Sequence, residues 1–109
     1  MSMRVAKGYS KRTNINFELE VYSALKRYCA DNGITMSHLV NNLLKESLEK
    51  GYVSYAERPK GYYKPTNINL DISLYKTLKK YCFDNNTTMT NLINEMVKNL
   101  LTSKGYLKK

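Results

Sequence analysis

The feature that most constrains this chain is a stretch that occurs twice with polar and apolar residues in alternation. Lys11-Arg12-Thr13-Asn14-Ile15-Asn16-Phe17-Glu18-Leu19 returns as Lys64-Pro65-Thr66-Asn67-Ile68-Asn69-Leu70-Asp71-Ile72. Ile15, Phe17 and Leu19 take every second place in the first copy, and Ile68, Leu70 and Ile72 do so in the second. Each copy is therefore expected to be a strand with one buried and one polar face. The polar places hold Asn14, Asn16, Asn67 and Asn69. Asparagine is a poor strand former, so four of them at matching sites call for a local reason. A carboxamide carries a donor and an acceptor side by side, the pattern that grips adenine bidentately in the major groove. The plainer reading is a strand face that merely meets water; the matching positions weigh against it.

The duplication reaches beyond the strands. A shift of 53 residues aligns 7–48 with 60–101, and 21 of those 42 positions are identical. After the first strand, expected over 12–17, Val21, Tyr22, Leu25, Tyr28 and Cys29 recur at helical spacing. Gly33 ends that helix, because glycine readily takes the left-handed conformation past a helix C-terminus. Thr35 then caps a second helix, whose stripe is Leu39, Val40, Leu43, Leu44 and Leu48 and whose stop is Gly51. The second copy predicts a strand over 65–70, a helix from Ile72 to Asp84, a turn at Asn85-Asn86-Thr87, and a helix from Met89 to Leu101 capped by Thr88.

The expected fold is mainly α with a two-stranded antiparallel β-ribbon, built from two strand-helix-helix units. The boundaries read as a flexible basic arm over 1–10, a first repeat over 11–50, a linker over 51–63 and a second repeat over 64–103, with the repeats forming one compact domain. One unit of about 40 residues would leave its strand edges unpaired and its core too small. The 14 residues from Gly51 to Lys64 reach roughly 46 Å when extended. That is enough to set both strands side by side in one chain; pairing between chains is the alternative. The linker's four tyrosines are expected to pack in part on the domain or over helix ends.

Composition bounds the partner. Lys and Arg number 18 against 9 Asp and Glu, a formal net charge of +9. That favours a polyanion: nucleic acid, an anionic membrane surface or an acidic protein. No apolar run approaches the roughly 20 residues of a membrane span, and the first residues lack a signal peptide's apolar core. A cytoplasmic, nucleoid-associated location is expected. Cys29 and Cys82 match in the repeats but form no Cys-x-x-Cys pair, and His38 is the single histidine. Buried thiols are expected, not a metal site. No cofactor and no small-molecule substrate is implied. With no glycine-rich phosphate loop and no nucleophile-base pairing, the chain does not read as an enzyme.

The order of elements, the strand alternation and the turn Asn32-Gly33-Ile34-Thr35-Met36-Ser37 resemble the ribbon-helix-helix family of DNA-binding proteins, the Arc and MetJ superfamily. The duplication resembles its rarer tandem form, known among accessory proteins of conjugative plasmids. The resemblance implies a ribbon in the major groove, with Arg12, Asn14, Asn16, Lys64, Asn67 and Asn69 reading base edges. It also implies that the second helix of each unit meets phosphate at its start, through Thr35, Met36 and Ser37 and through Thr88, Met89 and Thr90. A helix N-terminus with free amides is an anion site on physical grounds alone. Double-stranded DNA is the implied partner, with further copies of the chain lining up along it.

The leading role is then a transcriptional repressor or regulator of a plasmid, phage or virus. A relaxosome or partition accessory factor is the first alternative. An antitoxin-type interaction protein is the second, disfavoured because fewer than ten residues follow the last expected helix. One departure separates the halves: Arg12 in the first repeat corresponds to Pro65 in the second. Unequal reading of two half-sites is expected from it.

Overall fold

A computed structural model of the chain describes residues 10–49 and 61–108. Six elements follow in order: β1 (Ser10–Glu18), α1 (Leu19–Asn32), α2 (Met36–Glu49), β2 (Tyr63–Asp71), α3 (Ile72–Asp84) and α4 (Met89–Ser103). The chain is mainly helical, with β1 and β2 paired antiparallel in a two-stranded sheet. Both strands run past the spans expected from alternation, and α4 ends at Ser103, two residues beyond Leu101. The expected arm and most of the expected linker lie outside the described residues.

The register follows from the repeat. Asn14 faces Asn67, its own counterpart in the other unit, while Arg12 faces Asn69 and Asn16 faces Pro65. Asn14 and Asn67 thus face each other at the middle of the two paired strands. In this row the backbone groups point away from the partner strand: the Asn16 and Asn69 N–H groups and carbonyls are taken up by helix side chains. These are the non-hydrogen-bonded pairs of the ladder, in which opposed side chains sit closest. Pro65 falls in the same row, so its missing N–H removes no bond between the strands.

The other row faces inward. Ile15, Phe17, Ile68 and Leu70 have no exposed surface, and they close over a core that includes Leu25, Leu44, Leu78 and Leu101. α4 packs along β1 and α2 along β2, with α1 against α4. Leu19, an apolar place of the repeated stretch, has already turned into α1 and is 46% exposed. Met36, Met89, Tyr22, Tyr28, Tyr75 and Tyr81 rim the core, half-buried.

Local chemistry sets the helix ends. Gly33 stops α1 at φ 62°, and Asn86 takes the matching place after α3 at φ 54°, a conformation asparagine tolerates better than most residues. The same closure forms in both units: the Ile34 N–H donates to the Cys29 carbonyl and the Thr87 N–H to that of Cys82. Thr35 and Thr88 cap α2 and α4, their Oγ1 atoms accepting from the His38 and Asn91 N–H groups at 3.0 and 3.1 Å. Of the linker tyrosines, Tyr62 and Tyr63 are exposed; the Tyr62 carbonyl accepts from the Leu19 N–H at the start of α1. Past α4, the chain turns at Gly105 (φ 81°). Tyr106 then sits edge-on to Tyr28, ring centroids 5.2 Å apart. Its hydroxyl donates to Asp31, which raises its pKa.

Candidate nucleic-acid interface

The solvent face of the ribbon carries Arg12, Asn14, Asn67 and Asn69, all exposed, with Asn16 half-buried beside them. Their rigid positions come from the strand pairing beneath and from the apolar row on the opposite face. The face is polar yet bears few charges, so what it offers is hydrogen-bond donors and acceptors at strand spacing.

Lys64 does not share that face. The resemblance implies a place for it beside Asn67 and Asn69, but side chains alternate along a strand and an odd step separates it from both. Its true counterpart is Lys11, not Arg12. The Lys64 ammonium lies 5.8 Å from the centre of the Tyr22 ring, and Lys11 lies 5.8 Å from that of Tyr75. Lys79 approaches Tyr75 as well, at 5.9 Å. An exposed cation over an aromatic face gains about 0.5–1 kcal/mol, enough to bias a lysine that would otherwise sample many rotamers.

The starts of α2 and α4 flank the ribbon. Ser37 Oγ accepts from the Asn69 N–H at 3.0 Å, and Thr90 Oγ1 from the Asn16 N–H at 3.4 Å. The hydroxyls expected to meet phosphate are thus bound to the strands as acceptors, and each keeps its own proton for donation. Met36 and Met89 pack on the core, so only their backbone amides suit an anion.

Two residues escaped the sequence reading. Asn41 and Asn94, equivalent in the repeat, sit on α2 and α4 and bond to the outer edges of the ribbon. The signal was available: an identical polar residue interrupts the apolar stripe of the second helix in both units. Asn94 is the one buried polar residue among the described residues.

Among the described residues no group of His, Cys, Asp and Glu could hold a metal ion. His38 is exposed, its Nε2 3.1 Å from Asn42 Nδ2. Cys29 and Cys82 are free and buried, and burial raises both thiols, Cys82 to about 11. No helix among the described residues is long and apolar enough to cross a membrane.

The family model for ParG matches residues 1–51, a little under half of the chain, and the match takes in β1, α1 and α2. ParG is a family of ribbon-helix-helix plasmid partition proteins, and the match supports a fold of that type. It is a DNA-binding, non-enzymatic family. No curated protein and no solved structure matches the chain.

Proposed function

We propose that the chain is a tandem ribbon-helix-helix protein whose two units, 11–50 and 64–103, pair within one chain and bind a specific double-stranded DNA site through the major groove. The observation that carries this reading is the row in which Asn14 faces Asn67, Arg12 faces Asn69 and Asn16 faces Pro65 on the solvent face. A two-stranded ribbon fits the major groove, where each base pair shows a distinct pattern of donors and acceptors. Asn14, Asn16, Asn67 and Asn69 suit adenine and Arg12 suits guanine. The starts of α2 and α4, with Thr35, Met36 and Ser37 and with Thr88, Met89 and Thr90, suit the flanking phosphates. Lys64 and Lys11, on the other strand face, suit the DNA backbone better than base edges.

The biological role we favour is regulation of a plasmid or phage gene, with partition as the close second. The ParG match over residues 1–51 favours these two over a relaxosome role. An antitoxin-type role has no observation behind it. Further copies along DNA and a location at the nucleoid follow from the same reading.

Selection of duplexes from a random library, followed by titration at several salt concentrations, tests it. The expected result is one enriched sequence, bound at least about a thousandfold more tightly than random duplex, with affinity falling steeply as salt rises. Equal affinity for all duplexes, or a preference for single strands, would overturn it.

A further inference from the structure

Asn41 and Asn94 make the same three contacts, one set in each half of the molecule. Asn41 Nδ2 donates to the carbonyls of Ser37 and Asn69, both at 2.8 Å, and its Oδ1 accepts from the Asp71 N–H at 2.9 Å. Asn94 Nδ2 donates to the carbonyls of Asn16 at 2.8 Å and Thr90 at 2.9 Å, and its Oδ1 accepts from the Glu18 N–H at 3.2 Å. Each carboxamide uses both of its N–H groups and imitates, at the edge of the sheet, the donor-acceptor pattern of a third strand. The same single group thereby ties a strand residue (Asn69 or Asn16) to a residue in the first turn of a helix (Ser37 or Thr90). The Ser37 and Thr90 hydroxyls add a second link between the same two residues.

Covering an edge is not the whole explanation. Asn94 is buried, where an unpaired edge group would be costly. At the other edge Asn41 is half-buried and its strand partners Asn69 and Asp71 are exposed, so an unpaired edge group would cost less there. The clamp is nonetheless present there, contact for contact.

We propose that Asn41 and Asn94 are positioning residues for DNA reading. Each locks one base-reading strand to one phosphate-gripping helix start, so that the phosphate contact on each side fixes the depth and register of the base contacts on that side. The proposal rests on the major-groove reading above and adds its mechanism. Bidentate recognition needs donors and acceptors held to within about 0.5 Å. Strand pairing and the apolar row seat the ribbon on the core, and the clamp adds a direct link from each strand to the helix start beside it. The consequence is local: the Asn41 clamp governs the half-site read by Asn69 and Arg12, and the Asn94 clamp the half-site read by Asn16.

The test uses the duplex that the full chain selects from a random library, together with every single-base-pair variant of it. Asn69→Ala identifies the base pairs of one half-site and Asn16→Ala those of the other. Asn41→Ala and the size-conserving Asn41→Asp are then measured on the same panel, with circular dichroism and thermal melting as checks on folding. The expected result is about a tenfold loss of discrimination, one good base contact, confined to the half-site of Asn69. Discrimination at the other half-site and affinity for random duplex stay within about twofold of the starting protein. Unchanged discrimination, a loss spread over both half-sites, or unfolding of both Asn41 variants would each overturn the proposal. Failure of the unmodified protein to select any sequence would instead overturn the major-groove reading.

Discussion

Replacing Pro65 by Arg should turn an unequal reader into a symmetric one. Pro65 occupies the place in β2 that Arg12 occupies in β1, and each faces an asparagine across the ribbon: Pro65 faces Asn16 and Arg12 faces Asn69. The new side chain would leave an exposed position on the solvent face. The restored N–H points to the outer edge and disturbs no bond of the ladder. Losing proline's constraint on the unfolded chain costs about 0.4–1 kcal/mol, a small change in melting. The added guanidinium can grip a guanine bidentately, worth about 1–3 kcal/mol of discrimination, or roughly 5- to 150-fold. Fluorescence anisotropy should be run with the selected duplex and with a symmetrised copy in which the half-site read by Arg12 appears on both sides. The starting protein should prefer its selected duplex or bind the two equally, and Pro65→Arg should shift preference to the symmetric copy by a factor in that range. If Pro65→Arg leaves the preference where it was, Arg12 does not read a base.

Three further outcomes follow. Asn69→Ala, at an exposed site on the ribbon, should weaken specific binding by about 1–3 kcal/mol while thermal melting stays put; a sharp fall in melting temperature with unaltered specificity would mean the face does not meet DNA. Thr87, the counterpart of Ile34, has a buried hydroxyl without a partner, so Thr87→Val should raise unfolding free energy by about 1 kcal/mol in urea titration, and a loss of stability would show that a hidden partner exists. Burial raises the Cys82 thiol from 9.0 to about 11; a group raised in this way contributes stability that is whole below the unfolded value and is lost as pH climbs through the folded one. Stability should therefore decline from about pH 9 to pH 11, and more shallowly in Cys82→Ala, with denaturant titration at each pH as the check.

Much of this fold could be read from residues alone because two periodicities alternate cleanly. Ile15 and Phe17 with their counterparts Ile68 and Leu70 mark the inward row of the strands, and Gly33, Thr35 and Thr88 mark helix ends by chemistry that acts over three or four residues. Strand ends were less legible. The pairing carries on to Ser10 and Asp71, past the expected spans 12–17 and 65–70, because a ladder is held by the backbone and not by side-chain type. The exposure of Asn14, Asn67 and Asn69 was legible in the alternation, while Lys64 falls on the other strand face. The resemblance implies a base contact there, while the alternation of the strand, a stronger constraint, puts Lys64 on the face opposite Asn67 and Asn69. Asn41 and Asn94 were hidden for a different reason. Polar residues on a helix ordinarily read as solvated, and only the tertiary approach of α2 and α4 to the ribbon edges gives these two their partners.

The central claim is that this ribbon lies in the major groove, and chemical methylation of the bound duplex addresses it most directly. Dimethyl sulfate attacks guanine from the major groove and adenine from the minor groove. Saturating the selected duplex with the full chain should protect guanines within the site and leave adenines reactive. Protected adenines with reactive guanines would put the protein in the other groove and contradict the account.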